Sequence, residues 1–160
     1  MLFSIACTVS INSPSANPTL TKDEVWSGLM KKARRPQDYV PVINHCELLS
    51  EDENGLLRDV DIQPGKFMPG GLTREKVTWV KKIRVDYVMQ GDKPQTITNI
   101  LSEGPAPGEL YLTFSYELER DVEPGSAEEA AVWENIRAGA QKSVEGALKA
   151  IRQKKVDGLL

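Results

Sequence analysis

Along the first dozen residues the hydrophobic positions alternate. Phe3, Ile5, Cys7, Val9 and Ile11 share one parity, while Ser4, Thr8 and Ser10 are among the residues of the other. A period of two belongs to an extended chain with one face turned to a core, so the pattern predicts a strand over 2–12. The spacing then changes. In "LTKDEVWSGLMKKARRP", Val25, Leu29 and Ala33 recur every four residues with Trp26 and Met30 beside them, which predicts an amphipathic helix. Thr21 followed by Glu24 reads as a capping box, and Leu20 with Val25 as a hydrophobic staple. Pro36 cannot continue the helix, and "PQDYVP" leaves room for only a short further turn, so a helix pair is predicted over about 21–39.

From about 42 to 120 the chain returns to strand-like runs separated by turn signals. They are "VINHCELL", "LLRDVDIQ", "TREKVTWVKK", "IRVDYVMQ", "PQTITNILS" and "ELYLTFSYELER". The boundary between the third and fourth carries no obvious turn residue, whereas "GDK" at 91–93 marks the next turn. The last run is the most regular: Leu110, Leu112, Phe114, Tyr116 and Leu118 lie on one side, and Thr113, Ser115, Glu117 and Glu119 on the other. Ile83, Val85, Tyr87 and Met89 group in the same way against Arg84 and Asp86. One buried and one wet face is the pattern of an antiparallel sheet, and a parallel one would need helices between these runs.

After "DVEPG" a helical period runs over about 126–155, opened by a second Ser126/Glu129 capping box. Trp133, Ile136, Ala140, Val144, Ala147 and Ile151 form its inward stripe. Gly139 and Gly146 flank that stripe with Ser143 and Ala150, although a glycine costs about 1 kcal/mol against alanine inside a helix. A slim flank is expected to meet the sheet closely or to border a cavity. The expected fold is α+β: one domain over 1–160, with a seven-stranded antiparallel sheet, a short helix pair after the first strand and a long C-terminal helix.

Composition narrows the functional classes. A formal charge of −3 and 40% hydrophobic residues describe a globular chain with no strong claim on nucleic acid. No apolar run reaches membrane-spanning length. The N-terminal stretch lacks a positive segment ahead of its interrupted apolar residues, so a strand is favoured over a leader and a cytoplasmic location is expected. Cys7 and Cys46 belong to no spaced motif and read as reduced, structural residues.

Sharp catalytic motifs are scarce. With one histidine, His45, and no Cys/His cluster, no metal is expected, and "SEDENG" and "DVD" lack the spacing of a calcium loop. No glycine-rich phosphate cradle is present, so no cofactor is expected. Ser115 in "TFSYE" is not a nucleophile elbow. His45 and Glu47 share a strand face and form the one local His–acid pair, read foremost as a partly exposed polar cluster. Arg58 shares parity with Leu56, Val60 and Ile62, and Asn99 lies between Ile97 and Leu101. Either these polar groups enter a wet cavity, or their strands twist enough to return them to solvent. Trp79, Tyr87, Phe114, Tyr116, Trp133, Ala140 and Val144 are candidates to line the same cavity, with ordinary core packing the competing reading for each aromatic.

The order strand, helices, six strands, long helix resembles the helix-grip fold of the START, Bet v 1 and polyketide-cyclase-like superfamily. Within it the chain is similar to the fungal family typified by protein L of acetylaranotin biosynthesis clusters. The resemblance is carried over the whole chain by "LTKDEVWSGLMKKARRPQDYVP", "GLLRDVDI", "LYLTFSYELE" and "AEEAAVWENIRAGAQKSVEGALKAI". It implies a curved sheet gripping the last helix, a cavity between them and a role in secondary metabolism, without a catalytic residue set to carry over. Three functions follow as expectations. The first is binding of a small hydrophobic or amphipathic molecule or intermediate. The second is a cofactor-free cyclase, dehydratase or isomerase, drawing on His45, Glu47, Arg58, Tyr87 and Tyr116. The third is a closed structural or interaction domain. Monomer and homodimer both stay open.

Overall fold

The computed structural model describes residues 1–91, 93 and 95–160. Its elements in chain order are β1 (Leu2–Ser10), α1 (Lys22–Arg34), a 3-10 turn (Pro36–Asp38), β2 (Ile43–Glu51), β3 (Gly55–Ile62), β4 (Gly71–Val80), β5 (Arg84–Gln90), β6 (Gln95–Glu103), β7 (Leu110–Glu119) and α2 (Ala127–Val156). The strands form one curved antiparallel sheet in the order β1-β7-β6-β5-β4-β3-β2. Strands β2 to β7 follow one another as neighbours, and β1 joins beside β7, with Phe3 opposite Leu118 and Cys7 opposite Phe114. The chain therefore starts at one edge of the sheet and uses α1 and the 3-10 turn to reach the other. This is the predicted helix-grip architecture.

Local chemistry explains the ends of the elements. Thr21 accepts from the Glu24 amide at 3.2 Å while the Glu24 carboxylate accepts from the Thr21 amide at 2.8 Å, completing the first capping box. At α2 only half of the predicted box forms: Ser126 Oγ accepts from the Glu129 amide, but the Glu129 carboxylate accepts from the Gly125 amide at 2.6 Å. The unsignalled corner between β4 and β5 is a turn over 81–83, in which Lys82 takes a positive φ of 59° and Ile83 N–H donates to Val80 C=O. Ile83 is consequently half-exposed on the turn and does not share the inward face of Val85, Tyr87 and Met89. The expected turn over 91–93 and the Pro94 start of the next strand fall partly on Asp92 and Pro94, which lie outside the described residues.

Alternation decides which face is buried. Leu110, Leu112, Phe114, Tyr116 and Leu118 of β7 are all inward, as are Val85, Tyr87 and Met89 of β5. All but Met89 share one core with Val25 and Leu29 of α1 and with Ile136, Ala140, Val144 and Ile151 of α2, while Met89 packs in a smaller cluster with Val60 and Ile62. Burial of side chains this size stabilises by about 1.5–3 kcal/mol each, before the entropy of ordering them is set against it. The close backbone approaches of α2 are to β1, β7 and α1. The helix thus grips one side of the sheet, and the concave face of β3 to β5 faces space that α2 does not fill.

Candidate functional site

That space is a cavity of about 440 Å³ beneath α2. Its walls are mainly apolar, with Ile62, Phe67, Met68, Met89, Ile97 and Phe114 among them. A larger hollow of about 640 Å³ lies near the start of α1 and the loop at 104–109, but it is a more open groove rimmed by the Lys22–Glu103 and Lys155–Glu24 ion pairs. The apolar, less open space is the better candidate for a ligand.

Both glycines of α2 border this cavity, each for a different reason. A Cβ added at Gly146 would meet nothing within 4 Å, so its missing side chain leaves open volume. A Cβ at Gly139 would lie 2.2 Å from Phe67 Cγ, so there the missing side chain admits a neighbour. Phe67 packs edge-on to Tyr116 with ring centroids 5.1 Å apart, and its carbonyl accepts from Arg120 Nη2 at 2.8 Å. The loop between β3 and β4 is thereby pinned across the cavity. Exposed Pro41, Val42, Lys142 and Gly146 mark the solvent side.

The deep side is charged. Arg58 on β3 and Glu75 on β4 are direct cross-strand partners, both 3% exposed. Arg58 Nε and Nη2 lie 2.7 and 2.5 Å from Glu75 Oε2. The remaining nitrogen, Nη1, donates to the carbonyls of Lys32 at 3.2 Å and Ala33 at 2.5 Å. Those carbonyls lie in the last turn of α1, where no intrahelical N–H reaches them and a cation is favoured. Arg58 therefore ties α1 to the sheet, and its charge is matched by Glu75.

Lys32 is held differently. Its Nζ donates to Asn99 Oδ1 at 3.0 Å, approaches Tyr87 Oη at 3.5 Å, and stands 4.5 Å from the centroid of the Tyr87 ring. Burial, and secondarily the nearby Arg58 charge, lower its pKa to about 7, with Glu75 opposing them. Burial also pushes the Tyr87 and Tyr116 phenols up, out of reach of ionisation near neutrality. Ser143 on α2 favours Tyr116 ionisation slightly, yet among the described residues no group reaches the Tyr116 hydroxyl in hydrogen-bonding geometry, and Asn99 Nδ2 is likewise unpartnered there.

Among the sequence-predicted residues, Arg58, Tyr87, Phe114 and Tyr116 line the cavity, and Asn99 stands behind it through Lys32. Arg58 and Asn99 are buried at 3% and 0% exposure, so neither escapes to solvent. Trp79 lies elsewhere on β4, its indole donating to Glu53 C=O at 3.0 Å. Trp133 packs edge-on to Phe3 at 4.9 Å, while Ala140 and Val144 are fully buried in the main core. None of these four lines the cavity; for the three on α2 the reason is that its apolar stripe faces β1 and β7 and its glycine flank faces the space. His45 and Glu47 sit on the exposed side of edge strand β2, away from the cavity.

Lys32 and Glu75 are absent from the sequence reading. The signal for Lys32 was its spacing: it follows Val25 by seven residues and Leu29 by three, which places it on the same helix face. Glu75 shares parity with Val77, but its place opposite Arg58 needs the strand register. Among the described residues, no cluster of three or more His, Cys, Asp or Glu side chains can hold a metal ion, and no helix is long and apolar enough to cross a membrane.

Comparison with known structures places the architecture. The Zhui aromatase/cyclase from Streptomyces sp. R1128 superposes with a TM-score of 0.68 at 12% identity, covering 98% of this chain and 96% of that one. The di-domain aromatase/cyclase StfQ from the steffimycin pathway gives 0.70 at 11% identity, and BexL from the BE-7585A pathway 0.67 at 15%. This chain spans 52% and 49% of those two, about half of each. At such identities the likeness is one of fold. Sequence similarity is more specific. The Acetylaranotin biosynthesis cluster protein L of Aspergillus terreus is 30% identical over 162 aligned positions, covering 98% of this chain and 92% of that protein. With residues 5–158 also matching the family that bears that description, the chain belongs to the Acetylaranotin biosynthesis cluster protein L family.

Proposed function

We propose that the protein holds a small, largely apolar biosynthetic intermediate in the cavity between its sheet and α2. The observation that carries this reading is the partly enclosed space of about 440 Å³, apolar along its length with a charged deep end. That volume is in the range of small-molecule sites, and a few placed polar groups in an apolar wall are what orients a ligand. A family named for a biosynthesis cluster, and structural neighbours named as aromatase/cyclases, point the same way. A closed structural domain would instead have a filled interior. Action in the cytoplasm is supported by two free cysteines.

The test uses a neutral, polarity-sensitive naphthalene dye, 6-propionyl-2-dimethylaminonaphthalene. Saturable binding with blue-shifted emission is expected from the unaltered protein, and Gly146→Leu should abolish most of it. Absence of saturable binding, or equal binding by a folded Gly146→Leu variant, overturns the proposal.

A second reading, a cofactor-free enzyme that cyclises, dehydrates or isomerises the bound molecule, is supported by Lys32. A buried amine whose pKa lies near 7 suits proton transfer at physiological pH.

A further inference from the structure

The closed end of the cavity has more hydrogen-bond donors than acceptors. The one acidic side chain among the described lining residues, Glu75, is matched by Arg58. Lys32 Nζ has a single close acceptor, Asn99 Oδ1. If Tyr87 Oη accepts from Lys32, its own hydrogen meets no acceptor among the described residues. Among the described residues neither Tyr116 Oη of the lining nor Asn99 Nδ2 behind it, on side chains 2% and 0% exposed, has a partner in hydrogen-bonding geometry, although Ser143 of α2 acts on the Tyr116 hydroxyl. Buried polar groups are normally satisfied, and an exception that faces a cavity calls for an explanation, a bound molecule being one. The exceptions here include only one group able to accept, a phenol that also donates. Lys142 adds a further cation on the solvent side.

We propose that this end binds an oxyanion of the ligand, a carboxylate or an enolate or phenolate oxygen, on Lys32, with Tyr87 as the adjacent neutral donor. The inference rests on the cavity being a ligand site and names the chemistry of what enters it. Seating the anion also requires Lys32 to carry its proton. Unliganded, burial and Arg58 hold Lys32 near half-protonation at about pH 7. The groups around it are Arg58 of β3, Glu75 of β4, Tyr87 of β5, Asn99 of β6 and the Phe114 ring of β7, with Cys46 of β2 beyond the Arg58–Glu75 pair and Lys142 and Ser143 of α2 across the cavity. None of these supplies a counter-charge once Glu75 is matched. An incoming carboxylate restores the charge balance by drawing a proton from solution onto the amine. A phenol brings its own: the O–H bond breaks, the proton joins the Nζ lone pair, and the phenolate stays beside the ammonium.

Calorimetry with 2-naphthoate, methyl 2-naphthoate and 2-naphthol separates the sources. At pH 8.5, in buffers of unlike ionisation heat, 2-naphthoate should bind with uptake of about one proton, since the free amine then predominates. 2-Naphthol should exchange none with the buffer and should acquire the red-shifted absorption of naphtholate. The neutral ester should bind at least about tenfold more weakly than the acid, the effect of one charge-assisted bond. Lys32→Met should remove that preference. Equal affinity of acid and ester overturns the oxyanion site and leaves the cavity reading standing. Failure of all three probes overturns both. Acid and ester are compared on the unaltered protein, so the test survives if the variant does not fold.

Discussion

Replacing Lys32 by Met asks whether the amine beneath α1 is held neutral at the expense of stability. The stem of the side chain is kept, while the group that burial disfavours is removed. In the unfolded chain Lys32 titrates at its ordinary 10.5, and in the fold at about 7. At about 1.4 kcal/mol per tenfold, that difference corresponds to about 5 kcal/mol. The sign follows from proton counting. Between pH 7 and 10.5 the unfolded state holds more protons than the folded state, so wild-type stability rises with pH across this window and the full cost is present below it. Evaluating the two titrations gives a cost of about 5 kcal/mol at pH 6 and about 1.4 kcal/mol at pH 9.5. Lys32→Met also leaves Asn99 Oδ1 without its donor, a loss of about 1–3 kcal/mol that does not vary with pH. The diagnostic quantity is therefore the slope. Urea unfolding at a series of pH values should show the advantage of Lys32→Met over wild type shrinking by about 3 kcal/mol from pH 6 to 9.5. Titrating groups that do not interact with Lys32 cancel between the two proteins. A difference that stays constant with pH would refute the claim that Lys32 is desolvated in the fold.

Two further outcomes follow from the geometry. Glu75→Gln leaves the Arg58 guanidinium uncompensated in the interior and should cost about 3–5 kcal/mol in chemical denaturation, whereas Arg58→Met with Glu75→Leu should recover much of that; a loss below about 1 kcal/mol for Glu75→Gln would show that the pair is hydrated. Gly139 and Gly146 should respond oppositely to alanine: Gly146→Ala gains helix propensity with nothing in its way and should stabilise by up to about 1 kcal/mol, while Gly139→Ala must displace Phe67 and should lower the melting temperature.

The elements themselves were legible from the chain. Period two over Leu110–Leu118 and period near four over Val25–Ala33 are direct images of which side meets the core, because burial on one face is what selects those spacings. The slim flank of α2 was visible too, since a glycine inside a long helix needs a reason. Its two reasons were not separable in sequence: only the fold shows Phe67 filling one gap and open volume beside the other. The α2 residues of the apolar stripe, Trp133, Ala140 and Val144, look like cavity lining on a wheel, yet they pack into the main core. A wheel gives the direction of a side chain but not what stands opposite it.

Sequence by itself determined the class of the fold, the inward face of most elements and the absence of any strong metal, nucleotide or nucleophile motif. Those properties are local, set by periodicity, capping and residue chemistry over a few neighbours. Tertiary structure decided that Arg58 is matched by Glu75 across two strands and caps the end of α1, leaving Lys32 as the cation without a carboxylate of its own. Charge balance in a buried site depends on which distant groups the register brings within a few ångströms. That is a property of the folded arrangement, and no local pattern encodes it.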